Sequence, residues 1–408
     1  MFRFTALLSL LVLAISTSAT PIVVDTPKIS LGFATKFNHT GGAVKIVEAD
    51  RARIAHLKSL AHSNSTEKRA SYSFSITNAA VTYTTSVGVG SPATNYNLLI
   101  DTGSSNTWLG ADQSYRRTST GSSTGRSVSV SYGSGSFSGT EYTDRVTLSS
   151  NLVINSQSIG VASRASGFGD GIDGILGIGP VALTEGTVSG VSSVPTVTDN
   201  LYSQGTISTE AIGIYFAPTT SESVANGELT FGGADSSKYT GSLRYTSLTS
   251  TYPASEYWGI DQTVTYNGQT ILSSTAGIVD TGTTLVYIAT DAYNRYVRAT
   301  GATLDNATGL LRISSSQYNN LKTLNFNIGG TSYGLTANAQ IWPRALNSYI
   351  GGSSNSIYLV VSDIGTESGE GLDFIDGYTF LERFYTVFDT TNNRFGIATT
   401  SHTSATSN

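Results

Sequence analysis

This sequence carries an approximate internal repeat, its two copies about half a chain apart. Asn97-Leu98-Leu99-Ile100-Asp101-Thr102-Gly103-Ser104-Ser105 is echoed by Ala276-Gly277-Ile278-Val279-Asp280-Thr281-Gly282-Thr283-Thr284, with the two aspartates 179 residues apart. Each copy is an apolar strand running into Asp, then Gly and hydroxyl residues. Each is followed by a second apolar–Gly element, Asp173-Gly174-Ile175-Leu176-Gly177 in the first half and Phe374-Ile375-Asp376-Gly377 in the second. This duplication predicts two lobes with pseudo-two-fold symmetry and the aspartates brought together at their junction, a common location for clefts. A chain of 408 residues is also too long for one compact core.

Composition narrows the class. Only 12% of residues are charged, 10% are aromatic and 43 are Gly. That balance argues against disorder and for an all-β protein. Short strands are expected at 81–89, 96–100, 128–132, 152–159, 211–216, 357–361 and 384–388. Helices are few, at 197–204, 289–300 and 314–321, while the Ser/Thr/Gly-rich stretch 116–127 reads as a surface loop. Residues 399–408 read as a polar tail with His402 exposed.

The ends differ from the body. Arg3, a short apolar run and Ser16-Thr17-Ser18-Ala19 form a signal peptide over 1–19. The apolar run is shorter than the roughly 20 residues that span a bilayer. Residues 20–69 carry eight Lys and Arg against four Asp and Glu, and end in Lys68-Arg69, a dibasic pair that predicts cleavage between Arg69 and Ala70. The remainder carries fourteen basic and twenty-four acidic residues. A basic segment ahead of an acidic body reads as a propeptide held partly by charge. The expected organisation is therefore propeptide 20–69, first lobe 70–217 and second lobe 218–408. The product is a secreted, extracellular monomer.

Several chemistries are excluded. With no Cys, the chain has no disulfides, thiolate nucleophile or Cys-based metal site. Removal of residues 1–69 takes His39, His56 and His62 and leaves only His402, too few for a Ser-His-Asp triad or a zinc site. The acidic balance (pI ≈ 5.4) gives no footprint for nucleic acid. Neither cofactor nor metal is expected. Two close carboxylates, however, share one proton, giving one base and one acid at acidic pH. The base activates water against a peptide carbonyl and the acid protonates the carbonyl oxygen. Asp101 and Asp280 are the candidate catalytic pair. Thr102 and Thr281 can bond across the lobes, Ser104 and Thr283 can donate to the carboxylates, and Gly103 and Gly282 let the backbone turn tightly beside them.

Asp101-Thr-Gly-Ser-Ser-Asn-Thr-Trp108 and Asp280-Thr-Gly-Thr-Thr resemble the two active-site motifs of pepsin-like aspartic endopeptidases. Tyr132-Gly133-Ser134-Gly135-Ser136 resembles their β-hairpin flap, and the likeness runs from about Tyr83 to Ala398. Absence of Cys and the Lys-Arg end of the leader are similar to secreted fungal members, the polyporopepsin-like enzymes in particular. The resemblance implies a bilobal fold and a propeptide-inhibited zymogen that cleaves proteins and peptides between large apolar residues. It places Gly103, Tyr132, Gly133, Ser134, Ile175, Gly282 and Thr283 against substrate, with Leu176 and Phe137 as further apolar walls. It also implies that a leader lysine, Lys36 or Lys45, pairs with the carboxylates. Acidification, by protonating the three leader histidines and neutralising body carboxylates, is expected to loosen the leader. Asn306 is a candidate glycosylation site in the mature part. One departure is Asp376, where relatives read Ile-Leu-Gly. It is expected to turn outward or meet backbone N–H groups, the alternative being a third carboxyl that perturbs the pair. Two other functions fit less well: a catalytically dead binding relative, which typically loses an Asp or the flap Tyr, and a two-carboxylate glycosidase, which has no need of duplicated turns.

Overall fold

The computed structural model describes residues 29–36, 43–62, 82–133, 135–221 and 224–408. The expected signal peptide, the Arg69–Ala70 junction, His39 and Ser134 lie outside the described residues.

The duplicated sequence folds as a duplicated topology. In the first lobe the strand Thr94–Asp101 pairs in parallel with Gly174–Gly177, which pairs antiparallel with Thr107–Leu109. In the second, Gln269–Val279 pairs in parallel with Phe374–Asp376, which pairs antiparallel with Val286–Ile288. Each Asp thus leaves the end of a strand covered on both sides. That position explains the burial of Thr94–Asp101, which alternates and then becomes continuous at its carboxyl end.

The two lobes share a floor. One 13-stranded sheet runs from the first lobe through Thr82–Val89, Ile29–Lys36, Val224–Phe231 and Ala211–Phe216 to Phe384–Asp389 and Arg394–Thr399. The N-terminal strand Ile29–Lys36 is therefore an interior strand, paired on both sides. Phe33 anchors it, with ring centroids 5.4 Å from Tyr83 and 5.0 Å from Phe216. A seven-stranded sheet and a smaller three-stranded one, Thr303–Leu304, Leu311–Ile313 and Ile357–Leu359, belong to the second lobe. Without a disulfide, a continuous apolar cluster from Val87 and Ile100 to Trp258 and Phe388 holds the halves together.

A 17-residue helix, Ile46–His62, which the sequence reading did not anticipate, lies across the junction of the lobes. Val44, Ile46, Val47, Ile54 and Leu57 pack it on Tyr257, Leu285, Trp342 and Ile350 of the second lobe.

Two expectations are corrected. Ser122–Ser131 is a strand, so the surface loop ends earlier than residue 127. Its edge position leaves residues 122–127 largely solvated with no apolar residue to betray them, and the alternation begins only at Val128, where a strand was expected. The polar tail is also packed rather than loose. Arg383 donates to the Ala405 carbonyl (2.9 Å), Thr403 donates to the Arg383 carbonyl (2.6 Å), and Asn408 is buried against Asn338. His402 is accordingly half-buried, and burial with the nearby Arg383 charge lowers its pKa.

Candidate active site

Asp101 and Asp280 end their strands at the lobe junction, both fully buried. Two threonines stitch the turns together. The Thr102 N–H donates to Thr281 Oγ1 (3.0 Å) and the Thr281 N–H to Thr102 Oγ1 (2.9 Å). Each hydroxyl then donates onward to the opposite strand, at Val279 and Ile100. The carboxylates are fixed in matching ways. Asp101 accepts from the Gly103 N–H (3.0 Å) and Ser104 Oγ (2.5 Å), and Asp280 from the Gly282 N–H (3.1 Å) and Thr283 Oγ1 (2.6 Å). At Asp280 these hydrogen bonds favour the charged form, and at both carboxylates they fix the orientation of the side chain.

A cation fills that space. Arg53, from the Ile46–His62 helix, donates through Nη2 to Asp101 Oδ1 (2.5 Å) and Asp280 Oδ1 (2.8 Å), and through Nε to Asp280 Oδ2 (2.7 Å). The planar fork spans both carboxylates, a geometry that a single ammonium does not reproduce. Burial alone disfavours the charges, but Arg53 outweighs it and holds the Asp280 carboxyl below the usual range. Burial likewise opposes the guanidinium charge, and the two carboxylates overcome it, raising the Arg53 pKa. The approach needs glycine: a Cβ on Gly103 would lie 2.4 Å from Arg53 Nη2, and one on Gly282 2.3 Å from Arg53 Cζ.

The expected lysine contact is corrected. Lys45 reaches the Ala307 carbonyl (2.9 Å) instead, and the Lys36 side chain lies outside the described residues. Asp50, one turn before Arg53, accepts from the Thr284 and Leu285 N–H groups at 3.0 Å each. Burial raises its pKa to about 6, against the lowering effect of those donors.

The hairpin formed by Ser122–Ser131 and Ser136–Ser149 closes over this helix. Its tip is tied by the Tyr132 N–H to the Gly135 carbonyl (2.7 Å). A Cβ on Gly133 would stand 2.3 Å from the Ala52 carbonyl oxygen, so the tip rests directly on the helix backbone. Tyr132 is buried, with Trp108 stacked at 6.3 Å. Beside Arg53 a cavity of about 310 Å³ remains, walled by Val130, Tyr132, Leu183 and Tyr257. Ile175 and Phe137, expected as substrate walls, pack in the aromatic cluster around Trp108, and Leu176 lies in the main core. Leu183 and Tyr257 are lining residues that the sequence reading did not assign to the cleft.

Asp376 neither turns outward nor meets backbone donors. It is fully buried and accepts from Gln262 Nε2 (3.2 Å), while its backbone carbonyl, not its carboxyl, receives the Asp280 N–H. Burial pushes its pKa up to about 8. Asn306 is exposed in a turn.

The family described as eukaryotic aspartyl protease matches residues 82–400, which include both Asp-Thr-Gly turns, the hairpin and every strand of the shared floor except Ile29–Lys36. The chain belongs to that family. Polyporopepsin of Irpex lacteus is 68% identical over 335 residues, covering 81% of this chain and 98% of polyporopepsin. The crystal structure of the aspartic proteinase from the same organism matches with a TM-score of 0.78 over 80% of this chain and 96% of that one, again at 68% identity. Rhizopuspepsin-1 of Rhizopus niveus is 32% identical, covering 86% of this chain and 90% of its own length. The protease is therefore a pepsin-like aspartic endopeptidase of fungal type. Its family match begins after the Ile46–His62 helix, so Arg53 lies outside the matched region.

Proposed function

We propose that this endopeptidase is a secreted, self-inhibited precursor in which Asp101 and Asp280 carry the chemistry once residues up to Arg69 leave. One carboxylate takes a proton from water as the oxygen attacks the peptide carbonyl carbon, and the other, protonated, donates to the carbonyl oxygen. The resulting tetrahedral species collapses with proton transfer to the leaving nitrogen. Thr102 and Thr281 keep the lobes in register, Ser104 and Thr283 orient the carboxylates, and Tyr132, Gly133 and Ser134 form the flap over the substrate. Substrates present large apolar residues to the walls at Val130, Leu183 and Tyr257.

The observation that carries the reading is Arg53, bonded to both carboxylates at 2.5–2.8 Å. A guanidinium there occupies the place of water and scissile peptide. It also favours two ionised carboxylates, whereas the reaction needs one shared proton. Acid loosens this lock with a definite sign. The docked Asp280 pKa is lowered, so its contribution is complete above the ordinary carboxylate pKa and is lost as pH falls through the lowered value. Asp50 works the other way. Its docked pKa is raised, so its contribution is complete in acid and fades as pH climbs through about 6. Release in acid thus rests on Asp280 rather than on Asp50.

Hydrolysis of casein or haemoglobin at acidic pH, measured with and without pepstatin, tests the function. Pepstatin-sensitive cleavage by the acid-treated chain is expected. No cleavage after the leader is removed would favour a binding relative.

A further inference from the structure

The helix that blocks the carboxylates makes a further polar contact near its C-terminal end. Lys58 lies five residues beyond Arg53, and its half-buried side chain donates to Thr366 Oγ1 at 2.5 Å. Asp373, Glu370 and Asp363 face its charge, offsetting part of the burial that lowers its pKa. These acids belong to the end of the strand Val361–Asp363 and the loop that follows it on the second lobe, and no Lys or Arg occurs between Arg344 and Arg383. The loop is held in shape by its own bonds. Asp373 accepts from the Gly369 N–H (2.6 Å) and the Glu370 N–H (3.0 Å). Asp363 accepts from Thr290 Oγ1 (2.6 Å) and the Gly365 N–H (2.9 Å), and Ser368 is tied to Asp291 at 3.1 Å. The ammonium therefore sits on a pre-shaped acidic rim, not on a loose surface patch.

We propose that the rim formed by Asp363, Thr366, Glu370 and Asp373 is a substrate subsite for a basic side chain, filled by Lys58 only while the leader is docked. The proposal rests on the reading that the helix leaves the cleft. Its register follows from geometry. Five helical residues advance about 7.5 Å, and an extended peptide covers that distance in about two residues at roughly 3.3 Å each. A substrate lysine should accordingly reach the rim from a position about two residues from the scissile bond, with side-chain reach extending this to three. The apolar preference at the cut itself is unaffected, because that wall is formed by Leu183, Tyr257 and the hairpin.

The test uses the mature enzyme and a quenched peptide cut between two apolar residues. Lys or norleucine is placed in turn two and three residues to either side of the bond. At pH 5, above the ordinary carboxylate pKa, one position should favour Lys by about two- to five-fold in kcat/KM, the range for a solvent-accessible ion pair. Glu370→Gln and Thr366→Ala should each reduce that preference while leaving the norleucine peptides unchanged. Absence of any position favouring Lys, or a preference that persists undiminished in both variants, overturns the proposal. Failure to cut any of the peptides would instead overturn the endopeptidase reading.

Discussion

Replacing Arg53 by Met in the full-length chain should switch on an enzyme that still carries its leader. Arg53 donates three charge-assisted hydrogen bonds to two fully buried carboxylates. Removing one partner of a buried ionic group costs about 3–5 kcal/mol. The carboxylates can answer by sharing a proton, which keeps the loss near the lower figure. At about 1.4 kcal/mol per factor of ten, the docked-to-undocked ratio falls roughly a hundredfold. The remaining contacts, including Asp50, Lys58 and the apolar face, are untouched, so the helix still forms and docks more weakly. The assay uses Lys68→Ala/Arg69→Ala chains, whose leader stays attached, and follows peptide hydrolysis at pH 5 with intact mass checked at the end. Arg53→Met should raise activity toward that of the mature enzyme, with Arg53→Lys between the two because one ammonium cannot span both carboxylates. A full-length Arg53→Met chain as silent as its parent, beside an active mature enzyme at the same pH, would refute the reasoning.

Other substitutions probe separate parts of the account. Asp376→Asn should protect the enzyme at high pH. The carboxyl pKa is raised by burial to about 8, so its stabilising contribution is complete below the ordinary carboxylate pKa and is lost progressively as pH rises from there through about 8; melting temperatures of parent and variant should diverge between about pH 4 and 8, and parallel curves would contradict this. Thr281→Val strips the buried Thr102 N–H of its acceptor, so denaturant unfolding should show a loss of about 1–3 kcal/mol, and an unchanged midpoint would mean the cross-lobe bond carries nothing. Ser134→Asp should improve cleavage directly after Lys, which is expected to be poor in the parent because a Ser hydroxyl offers no charge to a buried ammonium. Equal rates for the two proteins on a peptide with Lys before the cut would remove Ser134 from the specificity account.

What could be read from the sequence was whatever repeats. Two Asp-Thr-Gly turns after apolar strands announced both the lobes and their shared topology, because each strand is buried enough to force an apolar run. Arg53 was not legible in the same way. A basic residue in a charged leader reads as solvated, and the signal lay instead in its position. Asp50 and Arg53 share the helical stripe of Ile46, Val47, Ile54 and Leu57, so polar groups stand where the pattern demands burial. That interruption marks residues facing polar partners. The first half of the Ser122–Ser131 strand and the tail around Asn408 were missed for a common reason. Both are held by hydrogen bonds at an edge or a surface, where no hydrophobic period records them. Asp376 was noticed, but its partner Gln262 lies 114 residues away and is adjacent only in the folded sheet.

The central claim is that Asp101 and Asp280 together perform peptide hydrolysis, and the most direct measurement is kcat/KM for Asp101→Asn and Asp280→Asn in the acid-matured enzyme. Either change prevents the shared-proton state, so each should lower kcat/KM by at least about a hundredfold, the low end for loss of general acid–base catalysis, with the melting temperature near that of the parent. Activity above about a hundredth of the parent in either variant would contradict the assignment.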